Sequence, residues 1–261
     1  MHNAKSLADC PQFCQSVSAR IMSDEPSSRA VTGPPIPTIT YGPGGSFSIS
    51  CSSYIAATPK ECLDVVTAAS EYPAWNRFCR KCTIDAQPAT VTAAAGGNSD
   101  DEPRPDTLLR LGTQFTFDVY LDPEAPDGSS RGRPTALEVS VLEPIDEDGA
   151  DADEDGDGTG TGDGFSSPSA PRRRRGWRIA WKQRHSLLMP AAMLRSERVQ
   201  EFVEVAAGDG PPRTRYRCWE TFYGLLAPLV RLAVAGQVER GFDAWLRGLK
   251  ARVEKTGQGQ G

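Results

Sequence analysis

Residues 228–254 read PLVRLAVAGQVERGFDAWLRGLKARVE. Apolar residues recur there at Leu229, Leu232, Ala233 and Gly236, then at Val238, Phe242, Trp245, Leu249 and Val253, at intervals mostly of three and four. The opposite face carries Arg231, Glu239, Arg240, Asp243, Arg247, Lys250 and Arg252. This pattern predicts one long amphipathic helix with a wide apolar stripe. A stripe of that width has to cover something, and the only partner of matching size is the apolar face of a sheet.

The strands for that sheet are legible upstream. From Ser46, Phe47, Ile49, Cys51, Ser53 and Ile55 alternate with Ser48, Ser50, Ser52 and Tyr54, the period of a half-buried strand. Thr58 then offers an N-cap, Pro59 suits the first helical position and Glu61 completes a capping box. The helix that follows turns Cys62, Val65, Val66 and Ala69 to one side and stops near Ser70; 71–78 reads as a turn and a second short helix. Further strands are predicted at Cys82–Gln87, Gly112–Leu121, Thr135–Glu143, around Trp177–Trp181, at Glu197–Val205 and at Arg213–Phe222. Seven strands with mostly short connections favour an antiparallel sheet.

The remaining segments lack such periods. Residues 1–45 are rich in proline and serine and are expected to form a flexible leader, as 255–261 are a tail. Polar insertions are expected at 88–106 and 144–176. Within the 261 residues this leaves one domain, 46–254, with a single core.

Charge narrows the function classes. The formal net charge is −5, but 144–176 alone holds nine acids and four arginines, and the rest of the chain balances at 25 of each sign. No basic footprint for nucleic acid results. The longest apolar run, Gly224–Gly236, is broken by Pro228 and Arg231 and is too short to span a bilayer, so stable membrane insertion is not expected. Asp9, Pro11, Gln12 and Gln15 interrupt any signal-peptide-like segment. An intracellular, cytoplasmic protein is the expectation. Seven scattered cysteines read as reduced, buried side chains. Cys79 and Cys82 have CxxC spacing, yet the only similar pair, Cys10 and Cys14, lies in the leader, so no metal is expected. Asp151, Asp153, Asp155, Gly156 and Asp157 imitate the start of a calcium loop, but Gly162 stands where its bidentate glutamate belongs. The acidic block followed by Arg172–Arg175 is either a solvated insertion or an arm that docks a protein partner. No phosphate-binding loop, dinucleotide fingerprint or nucleophile motif is present, and no cofactor is expected.

The ordered pieces resemble the START-like, or SRPBCC, superfamily, which includes polyketide cyclases and dehydratases, coenzyme Q-binding START proteins and birch-pollen-type allergens. The pieces are Ser53-Tyr54-Ile55-Ala56-Ala57-Thr58-Pro59 entering the first helix, Tyr72-Pro73-Ala74-Trp75-Asn76 closing the helix pair, Trp219-Glu220-Thr221-Phe222-Tyr223-Gly224, and Gly241-Phe242-Asp243-Ala244-Trp245-Leu246. The resemblance implies an α+β helix-grip fold: a curved seven-stranded antiparallel sheet wrapped around the long C-terminal helix, with two short helices after the first strand. It also implies an internal cavity for a hydrophobic small molecule such as a lipid, quinone or polyketide. Trp75, Phe115, Phe117, Val139, Trp181, Tyr216, Phe242 and Trp245 are the candidate lining residues, although aromatics at such spacings are more often plain core. The alternative is a cyclase or dehydratase using the same cavity, with His185 or Glu220 as proton carrier and Tyr216 beside it. His185 is the only histidine outside the leader and would face inward if its strand ran on unbroken. Glu220 shares a face with Tyr216, Cys218 and Phe222, where burial would raise its pKa; the alternative is that it points outward and pairs with a neighbouring arginine such as Arg198 or Arg217.

Overall fold

The computed structural model describes residues 29–89, 107–126, 129, 131–148, 173–185, 190–205 and 211–257. The strands are β1 (Val31–Gly33), β2 (Phe47–Ile55), β3 (Cys79–Ala86), β4 (Gln114–Val119), β5 (Arg133–Asp148), β6 (Arg173–Gln183), β7 (Arg195–Val205) and β8 (Arg213–Tyr223). They form a single antiparallel sheet in the order β1-β2-β8-β7-β6-β5-β4-β3. Between β2 and β3 come α1 (Pro59–Thr67), a 3-10 turn (Ala69–Glu71) and α2 (Tyr72–Trp75), and the chain closes with α3 (Ala227–Gly257). No helix among the described residues is long and apolar enough to cross a membrane.

Local chemistry sets the helix pair. Thr58 caps α1, Glu61 reaches back to the Thr58 N–H at 2.8 Å, and Pro59 occupies the first turn. The Tyr72 hydroxyl donates to the Val66 carbonyl at 2.8 Å, tying α2 under α1. Asn76 ends α2, and its side-chain oxygen accepts from the Phe78 and Cys79 N–H groups, turning the chain into β3.

The terminal helix grips the sheet in two ways. Its apolar side packs Phe242, Trp245, Leu249 and Val253 into the main core. Gly241 and Gly248 let it come close: a Cβ on Gly241 would lie 2.3 Å from the Phe78 ring, and one on Gly248 2.3 Å from the Trp75 carbonyl oxygen. Its polar side fastens the sheet edge. Asp243 accepts from the Ala30 N–H at 2.6 Å and Glu239 from the Thr32 N–H at 2.8 Å, while Lys250 donates to the Tyr54 carbonyl and Glu254 accepts from the Ala56 N–H, both at 3.0 Å. Edge N–H groups of β1 that would otherwise template another strand are thereby engaged.

Two stretches differ from the sequence reading. Residues 29–45, expected within the leader, contain an eighth strand, β1, and then cross the outer face of the sheet. There the Ile36 N–H donates to Ser48 Oγ, Thr221 donates to the Ile36 carbonyl, and the Trp219 indole donates to the Pro37 carbonyl. Ile36 covers a second apolar cluster of Val141, Ala180, Val199 and Trp219. Thr40 donates through both its N–H and its hydroxyl to the buried Glu197 carboxylate, which Ser140 also supplies. Every one of these partners is remote in sequence, so no local period announces the segment. The other difference is at 144–148 and 173–176, expected as insertion but forming the far ends of β5 and β6. Asp146 and Glu147 stand opposite Arg175 and Arg174, and their carboxylates accept from Arg173 and Arg174, so acidic and basic residues form a charge ladder along these strand ends. The rest of the leader, the insertion cores, the calcium-like run and most of the proposed partner-docking arm lie outside the described residues.

Candidate functional site: the interior under the terminal helix

The inner face of the sheet, α2 and α3 enclose the main core, whose walls come from strand parity. Phe115 and Phe117 enter from β4, Val139 from β5, Trp181 from β6, Tyr216 from β8, Trp75 from α2, and Phe242 and Trp245 from α3; all eight are buried and belong to one core. Five of them converge. Trp245 meets Trp75 at 5.2 Å between ring centroids, Trp181 at 5.8 Å and Phe117 at 6.1 Å, largely edge to face, and Phe115 joins through Phe117 at 4.9 Å. Tyr72, which the sequence reading did not single out, completes the ring cluster at 5.1 Å from Phe117. Val139 is the cross-strand partner of Trp181. Tyr216 lies elsewhere, stacked on Phe202.

Next to these rings the interior is polar. Across β2, β8 and β7, Cys51, Cys218 and Gln200 form one row of cross-strand partners, and Ile49, Glu220 and Arg198 form the next. Arg198 is 3% exposed and its guanidinium lies over Phe242 at 4.0 Å and Trp245 at 4.2 Å. Its Nε donates to Cys218 Sγ at 3.2 Å. Burial opposes its charge, but Cys218, Tyr216 and Glu220 outweigh that and hold the guanidinium above its ordinary pKa. Burial would push the Cys218 thiol up; a hydrogen bond with Cys51 and the Arg198 charge bring it instead to about 7. The Tyr216 hydroxyl donates to Gln200 Oε1 at 2.7 Å.

Glu220 is the cross-strand partner of both Ile49 and Arg198. It is half-buried; desolvation raises its pKa, with Arg198 and a hydrogen bond to Ser196 pulling the other way. His185 is not brought to it. The strand β6 ends at Gln183, where its pairing with Leu137 ends, and His185 is exposed beyond that end. Cys79 and Cys82 are both pushed up by burial, Cys82 to about 12, so neither is a ready thiolate. Among the described residues no three His, Cys, Asp or Glu groups stand close enough to hold a metal ion.

Arg198, Gln200 and the two cysteines of the row are functional-looking groups that periodicity missed. Alternation along β7 sets Ser196, Arg198, Gln200 and Phe202 against Glu197, Val199, Glu201 and Val203. Both sets contain charge, so polarity cannot tell inside from outside. A separate open groove of about 430 Å³ lies between the start of α1 and the β5–β6 hairpin, beside Lys60, Pro144, Ile145 and Trp177, and none of the eight expected lining residues borders it.

No protein-family model matches the chain, and no curated protein does. Solved structures do. A START superfamily protein from Mycobacterium smegmatis is 14% identical, with 80% of this chain and 98% of that one covered at a TM-score of 0.44. The Zhui aromatase/cyclase from Streptomyces sp. R1128 is 11% identical over 80% and 93%, with a TM-score of 0.43. A hypothetical protein from Helicobacter pylori is 16% identical over 78% and 86%, also at 0.43. The fold is an eight-stranded antiparallel sheet gripping one long terminal helix. Its helix-grip arrangement is what places the buried Arg198 directly beneath α3.

Proposed function

We propose that this chain binds a hydrophobic small molecule, such as a lipid, quinone or polyketide, between its sheet and α3, and so transports or stores it. The observation that carries the reading is the uneven seating of α3. From Val238 onward its apolar side is buried; over the first three turns Leu229 is 61% and Leu232 85% exposed, and Val230, Val234 and Ala235 only half cover the core. An amphipathic helix that served only as core would bury its whole stripe, and a run of uncovered large apolar side chains marks a place where something binds. A guest against Val230 and Val234 would gain roughly 25 cal/mol for each Å² of apolar surface removed from water, before ordering costs. The aromatic rings deeper in are already packed on one another, so the guest enters from this end. An intracellular setting suits the five free cysteines among the described residues.

Mass spectrometry of an organic extract of the native protein tests this directly, together with titration by the neutral fluorophore 1-aminoanthracene. A stoichiometric apolar occupant, or saturable fluorophore binding weakened about tenfold by Val234→Trp at unchanged unfolding temperature, is expected. An empty extract with no saturable binding would sink the proposal.

One group keeps the cyclase or dehydratase reading in play: Glu220 is inward-facing and has a raised pKa beside a cation. With His185 outside the interior, that reading rests on Glu220 alone, and Glu220→Gln should then abolish turnover of any substrate that the extract identifies.

A further inference from the structure

We propose that the ligand between the sheet and α3 carries an acidic head group, a carboxylate, and that Arg198, Gln200 and the indole N–H of Trp245 form the subsite that receives it. This rests on the binding function proposed above and names the chemical class of its ligand.

The argument starts from unused donors. Arg198 Nη2, Gln200 Nε2 and Trp245 Nε1 are all buried and all lack a hydrogen-bond partner. The three belong to one neighbourhood. The guanidinium lies 4.2 Å from the Trp245 ring, and Gln200 follows Arg198 by two residues on the same face of β7. A buried donor without an acceptor is destabilising, and more so when it belongs to a charged group. Arg198 has no ion pair among the described residues. Its cross-strand neighbour Glu220 is directed to Ser196, and its one hydrogen bond is to a cysteine sulfur. Gln200 already uses its oxygen on Tyr216, so its amide is fixed with the donor end outstanding. All three donors ask for an acceptor, and one of them carries a full positive charge. A carboxylate supplies two oxygens with several lone pairs and the opposite charge, whereas an alcohol or an ester supplies no charge. The surrounding Phe242, Trp245 and Trp181 faces would exclude water from that contact and strengthen it.

The test measures binding of two matched pairs to the full chain at pH 8 by calorimetry: dodecanoate against dodecanol, and 1-pyrenebutyrate against 1-pyrenebutanol. In the wild type the acid of at least one pair is expected to bind about tenfold more tightly than its alcohol or better, as one charge-assisted contact provides. Arg198→Met should erase that preference; an apolar replacement of a buried cation is tolerated in other folds. If that variant does not fold, Gln200→Leu and Trp245→Phe each remove one donor and should reduce the preference severalfold. Equal affinity for acid and alcohol in the wild type overturns the subsite while leaving apolar binding intact. So does a preference that survives loss of Arg198. Absence of binding by all four compounds overturns the subsite and the binding function together.

Discussion

Trp245 illustrates how much one side chain does in this interior. It is fully buried, touches Tyr72, Trp75, Phe117 and Trp181 ring to ring, and lies under the Arg198 guanidinium. Trp245→Ala should therefore lower stability by about 3–5 kcal/mol, read from the urea midpoint, because the close-packed rings around the void cannot collapse into it. A loss below 1 kcal/mol would show that the site is loosely filled. Glu220 gives a pH signature of definite sign. Its folded pKa lies above the ordinary value of 4.5, so the native state holds its proton more tightly than the unfolded chain does. Its contribution is favourable at low pH and is lost as pH rises from 4.5 through the raised value. Replacing it with glutamine should flatten the fall in stability over that window, as measured by denaturant titrations at stepped pH between 4 and 7. The face that Glu220 shares with Tyr216 and Phe222 was legible from parity, but whether its carboxylate turned inward or out to a neighbouring arginine was not. That of Arg198 was not, since both faces of β7 carry charge.

Among the elements, the extent of α3 was readable from its spacing, as was the capping box of α1, because both signals lie within a few neighbouring residues. The face of the first turns of α3 was not, since Leu229, Leu232, Ala233 and Gly236 are exposed while Val230, Val234 and Ala235 pack on the core. The role of the glycines in α3 was not, since a close approach depends on what the fold brings opposite. Gly248→Ala would improve helix propensity by about 1 kcal/mol, but its Cβ would meet the Trp75 carbonyl oxygen at 2.3 Å, and backbone does not yield cheaply. The net result should be a loss of about 1 kcal/mol or more. Gly236 is exposed with nothing within 4 Å of its would-be Cβ, so Gly236→Ala should instead stabilise by about 0.5–1 kcal/mol. Equal effects of the two substitutions in thermal melts would contradict the close packing of the helix on α2.

At the scale of the whole molecule, residues 29–42 join the two faces of the sheet. Their start is held by Asp243 and Glu239 of α3 on the inner side, and their continuation seals Val199, Trp219 and Glu197 on the outer side. Removing residues 1–45 should lower the unfolding temperature by roughly 5 °C or more and raise binding of an apolar dye to the newly bared outer cluster. An unchanged melt would mean that the segment only decorates the sheet. The alternating strands, the capped first helix and the long amphipathic stripe are patterns of near neighbours, and the amino-acid order by itself determined them; the helix-grip architecture was implied by the resemblance that their order carries. The edge strand, the charge ladder that extends β5 and β6, the inward turn of Arg198 and its unanswered donors are contacts between residues far apart in the chain. Only the tertiary structure decided those, because a hydrogen bond or a buried charge depends on the partner that folding delivers, and the local sequence does not encode which partner that is.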